Sequence, residues 1–332
     1  MRRESLGKHS RAIGVPHLFR IFFATDVHGS DICWKKFIAA ADFYKANLIV
    51  LGGDMTGKAL VPIIAEKDGT HTLDFQDNRL VLKKPEEVPK LQKKITDRGY
   101  YPIPIERKQL DEFSPEKLAE WTNETFGKLM LERVKSWLEY ADQKLQNSGV
   151  ECYVCPGNDD TFDIDGLIHE SKTVSDGEGK VVEIGGSYEM ASSGWSTPTP
   201  WKTFRECSEE ELAKKIANMT DQLKNREKSV FNLHDPPYSS HLDEAPDLTE
   251  DLDLKGGGRI TKSVGSVAVR QAIEKCQPVL GLHGHIHESK GVAKIGRTTC
   301  INPGSVYEEG TLLGAIVDLE GPKVKQYYMT AG

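Results

Sequence analysis

Leu18-Phe-Arg-Ile-Phe-Phe-Ala-Thr-Asp-Val-His28-Gly29 reads as an apolar strand that halts at two polar side chains, Asp26 and His28. A helical stretch follows from Asp31 to Lys45, with apolar residues at Ile32, Phe37, Ile38 and Ala41. Next comes Leu48-Ile-Val-Leu51, apolar throughout, as a strand buried on both faces should be. It runs into Gly52-Gly53-Asp54. The unit is strand–helix–strand, and each strand delivers an aspartate at its carboxyl end. In open α/β sheets that end is where ligands bind.

The same signature recurs downstream. Glu151-Cys-Tyr-Val-Cys155 is a third strand and leads into Pro156-Gly157-Asn158-Asp159-Asp160. Ser229-Val-Phe-Asn-Leu233 ends at His234, and Pro278-Val-Leu-Gly-Leu282 ends at His283-Gly284-His285-Ile286-His287. One Asp-x-His or Gly-Asp means little. Polar clusters that each follow a strand are much harder to obtain by chance.

Between these strands the pattern is less regular. Residues 57–105 read as an insertion, with strands at Leu60–Ile64 and Asn78–Leu82, a turn at Asp68-Gly69, and a charged helix from Pro85 to Arg98. A long helix is expected from Pro115 to Asn147, with Ser114 as its cap and Trp121 and Trp137 on its buried face. Val181–Ile184 and Glu189–Ser192 suit strands, Ser208–Arg226 a helix opened by a capping box, Tyr238–Lys262 a loop, and Ser263–Cys276 a helix. Short strands close the chain. Residues 1–17 read as a flexible leader, and 18–332 as one domain carrying the insertion.

Composition narrows the function classes. The chain has 332 residues, 38% of them hydrophobic, enough for a full core without disulfides. The six cysteines read as reduced thiols of a cytoplasmic protein. Cys152 and Cys155 form a C-x-x-C, but odd spacing on a strand sends the side chains to opposite faces, which argues against a redox or zinc pair. The net charge of −7, without a basic stripe, argues against nucleic acid as a partner. No apolar run is long enough to cross a membrane. Assembly into oligomers is left open.

Two carboxylates (Asp26, Asp54), four imidazoles (His28, His234, His285, His287) and one amide oxygen (Asn158) form a mixed oxygen and nitrogen donor set. Such a set suits Mn, Fe, Zn or Ni better than Ca or Cu(I). It is too large for one ordinary site and suits two cations sharing a carboxylate, about 3.5–4 Å apart. Paired cations generate hydroxide from water near neutral pH and neutralise charge on phosphoryl oxygens. The expected activity is hydrolysis of phosphoric mono- or diesters by a metal-bridging hydroxide, with a small phosphate ester as substrate.

Asp26-x-His28, Gly53-Asp54, Gly157-Asn158, His234 and Gly284-His285-x-His287 resemble, in order, the motifs of the calcineurin-like metallophosphoesterases. Asn302-Pro-Gly-Ser305 resembles a turn of the small stand-alone members. The resemblance covers about Arg20 to Ser305, outside the insertion. It implies a four-layer α/β/β/α sandwich. It also implies that Asp26, His28 and His287 hold one cation, that Asn158, His234 and His285 hold the other, and that Asp54 bridges them. The family often has a histidine after the Gly-Asn pair that binds phosphate and protonates the leaving group; here Asp159 stands there. An ordinary aspartate is ionised at neutral pH and is a poor acid. Weak turnover of esters with poor leaving groups is expected, with activated esters and diesters less affected.

Three further residues have two readings each. His283 is either a phosphate contact with a catalytic part or a packed histidine at a strand end. His241 is either a substitute acid with a substrate contact or an exposed loop residue. Arg259, in Gly256-Gly-Gly-Arg259, either reaches substrate phosphate or is solvated. In each pair the second, plainer reading has the better prior. Two rival functions remain: a metal-binding scaffold without turnover, suggested by Asp159, and a nuclease.

Overall fold

The computed structural model describes residues 18–249 and 251–332; the expected leader, 1–17, lies outside them. Alternation along the first strand, Phe19–Ala24, organises everything else. Phe19, Ile21 and Phe23 point to one side and join a core with Tyr188, Met190, Val230, Leu280, Leu282 and Ile301. Phe22 and Ala24 point to the other side, against Trp34, Phe37, Val134 and Trp137 of two helices. The period of two side chains thus assigns one face to a second sheet and the other to a helical layer.

The first sheet has the order Lys323–Ala331, Leu313–Glu320, Phe19–Ala24, Leu48–Leu51, Glu151–Val154, Val174–Asp176. Phe19–Ala24 pairs parallel with Leu48–Leu51 and antiparallel with Leu313–Glu320. The second sheet runs Gly291–Ile295, Thr298–Asn302, Leu280–Leu282, Ser229–Leu233, Tyr188–Ser193, Lys180–Ile184. Helices Asp31–Phe43 and Pro115–Leu145 cover the first sheet, while Glu209–Thr220 and Val267–Cys276 cover the second. The layers are helix, sheet, sheet, helix, as the motifs implied. Both sheets are mixed.

The outer helices are tied down by specific contacts. Trp34 stacks on Trp137 with ring centroids 5.0 Å apart. Each indole N–H has a partner: Trp34 donates to the Trp137 carbonyl at 3.0 Å, and Trp137 to Asp31 Oδ1 at 2.8 Å. Trp121, half-buried, packs instead against Phe113, centroids 5.7 Å apart.

Residues 60–106 build a separate four-stranded sheet around Val61, Ile63, Leu73, Phe75 and Ile95. It has two strands that the sequence did not suggest, His71–Phe75 and Tyr101–Glu106. The second carries Pro102 and Pro104 yet pairs in parallel with Leu60–Ala65. It lies at the sheet edge, where a missing N–H costs no ladder bond. The charged helix there is a single turn at Pro85–Glu87 followed by Val88–Asp97.

The expected helix over Ser208–Arg226 stops at Thr220. Glu189 Oε2 accepts from the N–H groups of Lys224 and Asn225, both at 2.9 Å, and a side chain from a strand thereby pulls that backbone out of helical register. Within the expected loop 238–262, Glu244–Pro246 pairs with Thr261–Ser263. All six cysteines are free and buried. No helix among the described residues is long and apolar enough to cross a membrane.

Candidate metal centre

Five strands, three from the first sheet and two from the second, end on one side of the sandwich. Just past those ends the chain is laced together. The N–H of Asp26 donates to the Gly53 carbonyl, and that of His28 to the Asp54 carbonyl, both at 3.0 Å. The corners are tight: Asp26, His28, Asp54 and His285 all have positive φ, from 38° to 66°. L-residues seldom adopt this region, though Asn, Asp and His enter it more readily than most, and strain of this kind collects at functional sites.

Two motif glycines are explained by close approach. A Cβ on Gly157 would lie 2.2 Å from Asp54 Oδ1, and one on Gly53, at φ 145°, would lie 2.1 Å from His234 Nδ1. Only hydrogen fits in those gaps.

The donors converge. Asp26, His28 and His287 form one group, and Asp54, His234 and His285 another, each with candidate ligand atoms within 4.8 Å of one another. Nε2 of His28 and Nε2 of His287 are 3.0 Å apart, and Asp26 Oδ1 is 3.3 Å from His287 Nε2. Asp54 Oδ2 lies between the groups, 3.6 Å from His28 Nε2 and 3.4 Å from His234 Nε2. Asn158 Oδ1 faces the second group, 3.0 Å from His234 Nε2 and 2.7 Å from His285 Nδ1. All but His285 and His287, which are partly exposed, are buried.

Supporting contacts set the direction of the lone pairs. The Gly52 carbonyl lies 3.1 Å from His234 Nδ1, so Nδ1 carries a proton and Nε2 turns inward. The Thr203 hydroxyl donates to Glu206 Oε1 at 2.7 Å and therefore accepts from Asn158 Nδ2 at 2.9 Å, which turns Asn158 Oδ1 toward the histidines. Asn302 Nδ2 donates to the carbonyls of Leu242, Gly284 and Ile286 at 3.2, 3.3 and 3.0 Å. Ser305 Oγ donates to the Asp26 carbonyl at 2.6 Å. The Asn-Pro-Gly-Ser turn therefore clamps the loop that bears His285 and His287.

The charge balance also fits cations. Burial, the largest single influence, would raise Asp26 and Asp54, but His234, joined by His287 at Asp26 and by His28 and Lys58 at Asp54, outweighs it, and both are held well below the usual carboxylate range. Burial would lower His234, yet Asp54 and then Asp26 push it up to about 10. Burial, then Lys58, brings His28 down to about 3; burial, then His234, brings His285 down to about 4. The cluster thus carries two anions and keeps positive charge at its centre. A pair of divalent ions would meet the same demand with lone pairs already aimed. Buried Asp and His clusters of this kind are compatible with a dinuclear site.

The remaining sequence candidates fall in different places. Asp159 is at the centre: its N–H donates to Asp54 Oδ1 at 2.9 Å, and its Oδ2 lies 3.7 Å from His28 Nδ1. Burial, then Asp54, pushes its carboxyl up to about 6. His283 is fully buried, with Nδ1 2.8 Å from the Leu233 carbonyl, and burial lowers it to about 4. His241 is exposed and lies 2.7 Å from Glu244 Oε1. Arg259, after the turn Lys255–Gly258, is exposed; its N–H donates to the Gly256 carbonyl at 3.4 Å. Among the described residues, no contact joins the side chain of His241 or Arg259 to the cluster.

Two residues not singled out beforehand belong to the site. Lys58 Nζ is 2.9 Å from Asp159 Oδ2, at the mouth of the cluster. Asp160, fully buried, accepts from the N–H groups of Met55, Gly157 and Thr56 at 2.9, 2.7 and 2.8 Å, and from Thr56 Oγ1 at 2.7 Å. It ties the loop of Asp54 to the loop of Asn158. For Lys58 the only sequence signal is its position four residues after Asp54; for Asp160 it is a second carboxylate beside Asp159.

No family model matches the chain. Over 157 residues it is 32% identical to the uncharacterized protein MJ1162 of Methanocaldococcus jannaschii, covering 46% of this chain and 64% of that protein, less than two thirds of its length. The crystal structure of TT1561 from Thermus thermophilus matches with a TM-score of 0.53 at 13% identity, over 95% of this chain and 99% of that one. A second crystal structure matches with a TM-score of 0.52 at 15% identity, over 95% and 99% of the two chains. At such identities the likeness is one of fold. A novel archaeal phosphodiesterase aligns at a TM-score of 0.37 and 10% identity, over 95% of this chain and all of that one, too loosely to bear on it. With these two structures the chain shares a fold of two mixed sheets flanked by helices.

Proposed function

We propose that this chain hydrolyses phosphoric esters at the cluster of Asp26, His28, Asp54, Asn158, His234, His285 and His287. Asp26, His28 and His287 would hold one divalent ion, Asn158, His234 and His285 a second, and Asp54 would touch both. The ions, Mn, Fe, Zn or Ni, would supply a nucleophile from water at neutral pH and neutralise phosphoryl charge. The observation that carries the proposal is the convergence of donors from five strand ends on two sheets, with Asp54 Oδ2 between the two groups.

The chain's own residues define the rest. Lys58 is kept protonated: burial opposes this, but Asp159 outweighs it and raises its pKa. It presents an ammonium at the mouth, where a phosphoryl oxygen would arrive. Asp159, with cations close by, would remain a carboxylate and position Lys58. Leaving-group protonation then falls to solvent, which favours esters whose leaving oxygen is stable as an anion, including activated diesters.

The test is hydrolysis of a chromogenic phosphodiester by Mn-loaded protein, with metal content measured on the same sample. Two ions per chain, turnover, and loss of both in Asp54→Ala support the proposal. Two ions per chain without turnover on any of a broad panel of mono- and diesters would refute it. That result would favour the second reading, a metal-binding scaffold, for which the replacement of the expected histidine by Asp159 is the supporting observation. The charge of −7 makes a nuclease the weakest reading.

A further inference from the structure

Beside the cluster lies a cleft of about 320 Å³, bounded by Trp201, Phe204, Phe126, Met130, Lys58 and Asp159. That volume sits at the small end of ligand pockets, roughly 300–1,000 Å³. One wall is polar and belongs to the site already described, since Lys58 and Asp159 form its ion pair. The opposite wall is apolar. Phe126 and Met130 come from the long helix, while Trp201 and Phe204 come from the loop after Pro200.

Those two aromatic side chains are unusually exposed for their size, Trp201 at 68% and Phe204 at 55%. Large aromatics left in solvent cost the fold burial energy. The loop that carries them is nevertheless firmly built. Glu206 Oε1 accepts from Thr199 Oγ1, Thr203 N and Thr203 Oγ1 at 2.5, 2.9 and 2.7 Å. The carbonyl of Asn158 accepts from the N–H groups of Phe204 and Arg205 at 3.0 and 3.1 Å. The backbone at Phe204 is therefore tied directly to a candidate ligand residue of the metal centre.

We infer that this cleft receives the planar aromatic part of the substrate, so that the phosphoric esters hydrolysed here are nucleotide-like, with a nucleobase held against Trp201 and Phe204. This rests on the hydrolase reading above and adds the substrate class. A phosphate at the cluster and a base in the cleft would lie on opposite sides of the Lys58–Asp159 pair. Stacking on an aromatic wall tolerates any base, because every base offers a π face.

The test is calorimetric titration of Mn-loaded protein with AMP and with ribose 5-phosphate, which share a phosphate and differ in the base. AMP should bind about tenfold or more tightly, in line with stacking worth ~1–3 kcal/mol. The difference should vanish in Trp201→Ala and shrink in Phe204→Ala. Both variants should keep the near-ultraviolet dichroism of the Trp34–Trp137 stack, since the replaced side chains face solvent. Equal binding of the two ligands overturns the inference while leaving the hydrolase reading intact. So does an AMP preference that survives both variants. If neither ligand binds and no ester is cleaved, the hydrolase reading fails, and the inference with it.

Discussion

Asp160→Asn isolates the carboxylate that joins the loops of Asp54 and Asn158 without belonging to the candidate donor cluster. One of its oxygens accepts from Met55 N and Gly157 N, the other from Thr56 N and Thr56 Oγ1. An amide of the same shape has one oxygen to offer. If that oxygen serves Met55 and Gly157, the amide nitrogen meets the Thr56 N–H, and only the Thr56 hydroxyl can rotate to accept. The reverse orientation sets the amide nitrogen against two N–H groups. The cheaper choice orphans one buried N–H, at ~1–3 kcal/mol, and weakens the other bonds by removing the charge. Burial, then Asp54, pushes the Asp160 pKa upward, so losing the charge also relieves some repulsion. The net cost should be ~2–4 kcal/mol of stability in the metal-free protein. Urea unfolding of the metal-free variant measures that cost, and Mn titration measures the consequence at the site. Uptake should weaken by about tenfold or more, since ~1.4 kcal/mol of lost preorganisation is a factor of ten. A variant within ~0.5 kcal/mol of its parent, with unchanged uptake, would refute the idea that Asp160 holds the loops of Asp54 and Asn158 in register.

Gly157→Ala should fold but lose about a hundredfold or more in turnover, because its Cβ would displace the Asp54 carboxylate from 2.2 Å away and angstrom-scale misplacement costs that much; retained rates would contradict the packing. His234, held near 10 by Asp54 and Asp26 against burial, must shed a proton before it can bind an ion, so apparent metal affinity should climb about tenfold per pH unit from 7 toward 10, with proton release seen by an indicator dye. In the metal-free protein the same raised pKa gives stability that is complete below the unfolded value of 6.5 and is lost as pH rises through about 10; denaturant melts across that window check the sign. Asp159→His should raise rates on monoesters with poor leaving groups by ~10–100-fold while barely changing those on activated diesters, as measured by a leaving-group series. Asn302→Ala removes a clamp on the loop of His285 and His287, an amide whose two hydrogens are shared among three carbonyls, and should cost ~2–4 kcal/mol in unfolding experiments and weaken metal uptake as well.

What could be read in advance was whatever obeys a short period. Leu48–Leu51 announces itself by unbroken apolarity and Phe19–Ala24 by an apolar run broken only at Arg20, and their polar termini announce the site. The double core follows from the alternation of Phe19, Ile21 and Phe23 against Phe22 and Ala24. What escaped depends on distant partners. Tyr101–Glu106 is hidden by its prolines until Leu60–Ala65 is known to supply only one side of the pairing. Beyond the end of the helix at Thr220, the backbone of Lys224 and Asn225 is held by Glu189, which lies on a strand. Lys58 gains its meaning from Asp159, one hundred and one positions later in the chain, and no local pattern encodes that meeting.

The left-handed corners at Asp26, His28, Asp54 and His285 have a consequence of their own. At roughly 1–3 kcal/mol apiece such conformations rival the entire margin by which a domain of this kind stays folded, about 5–15 kcal/mol. Glycine would enter those four corners without strain, but it would remove every donor that they present. The chain has kept the awkward corners, so its sturdiness has been given up at one rim of the sandwich. A divalent ion bound at that rim would add its binding free energy to the folded state, and would thereby offset part of the strain held in the corners.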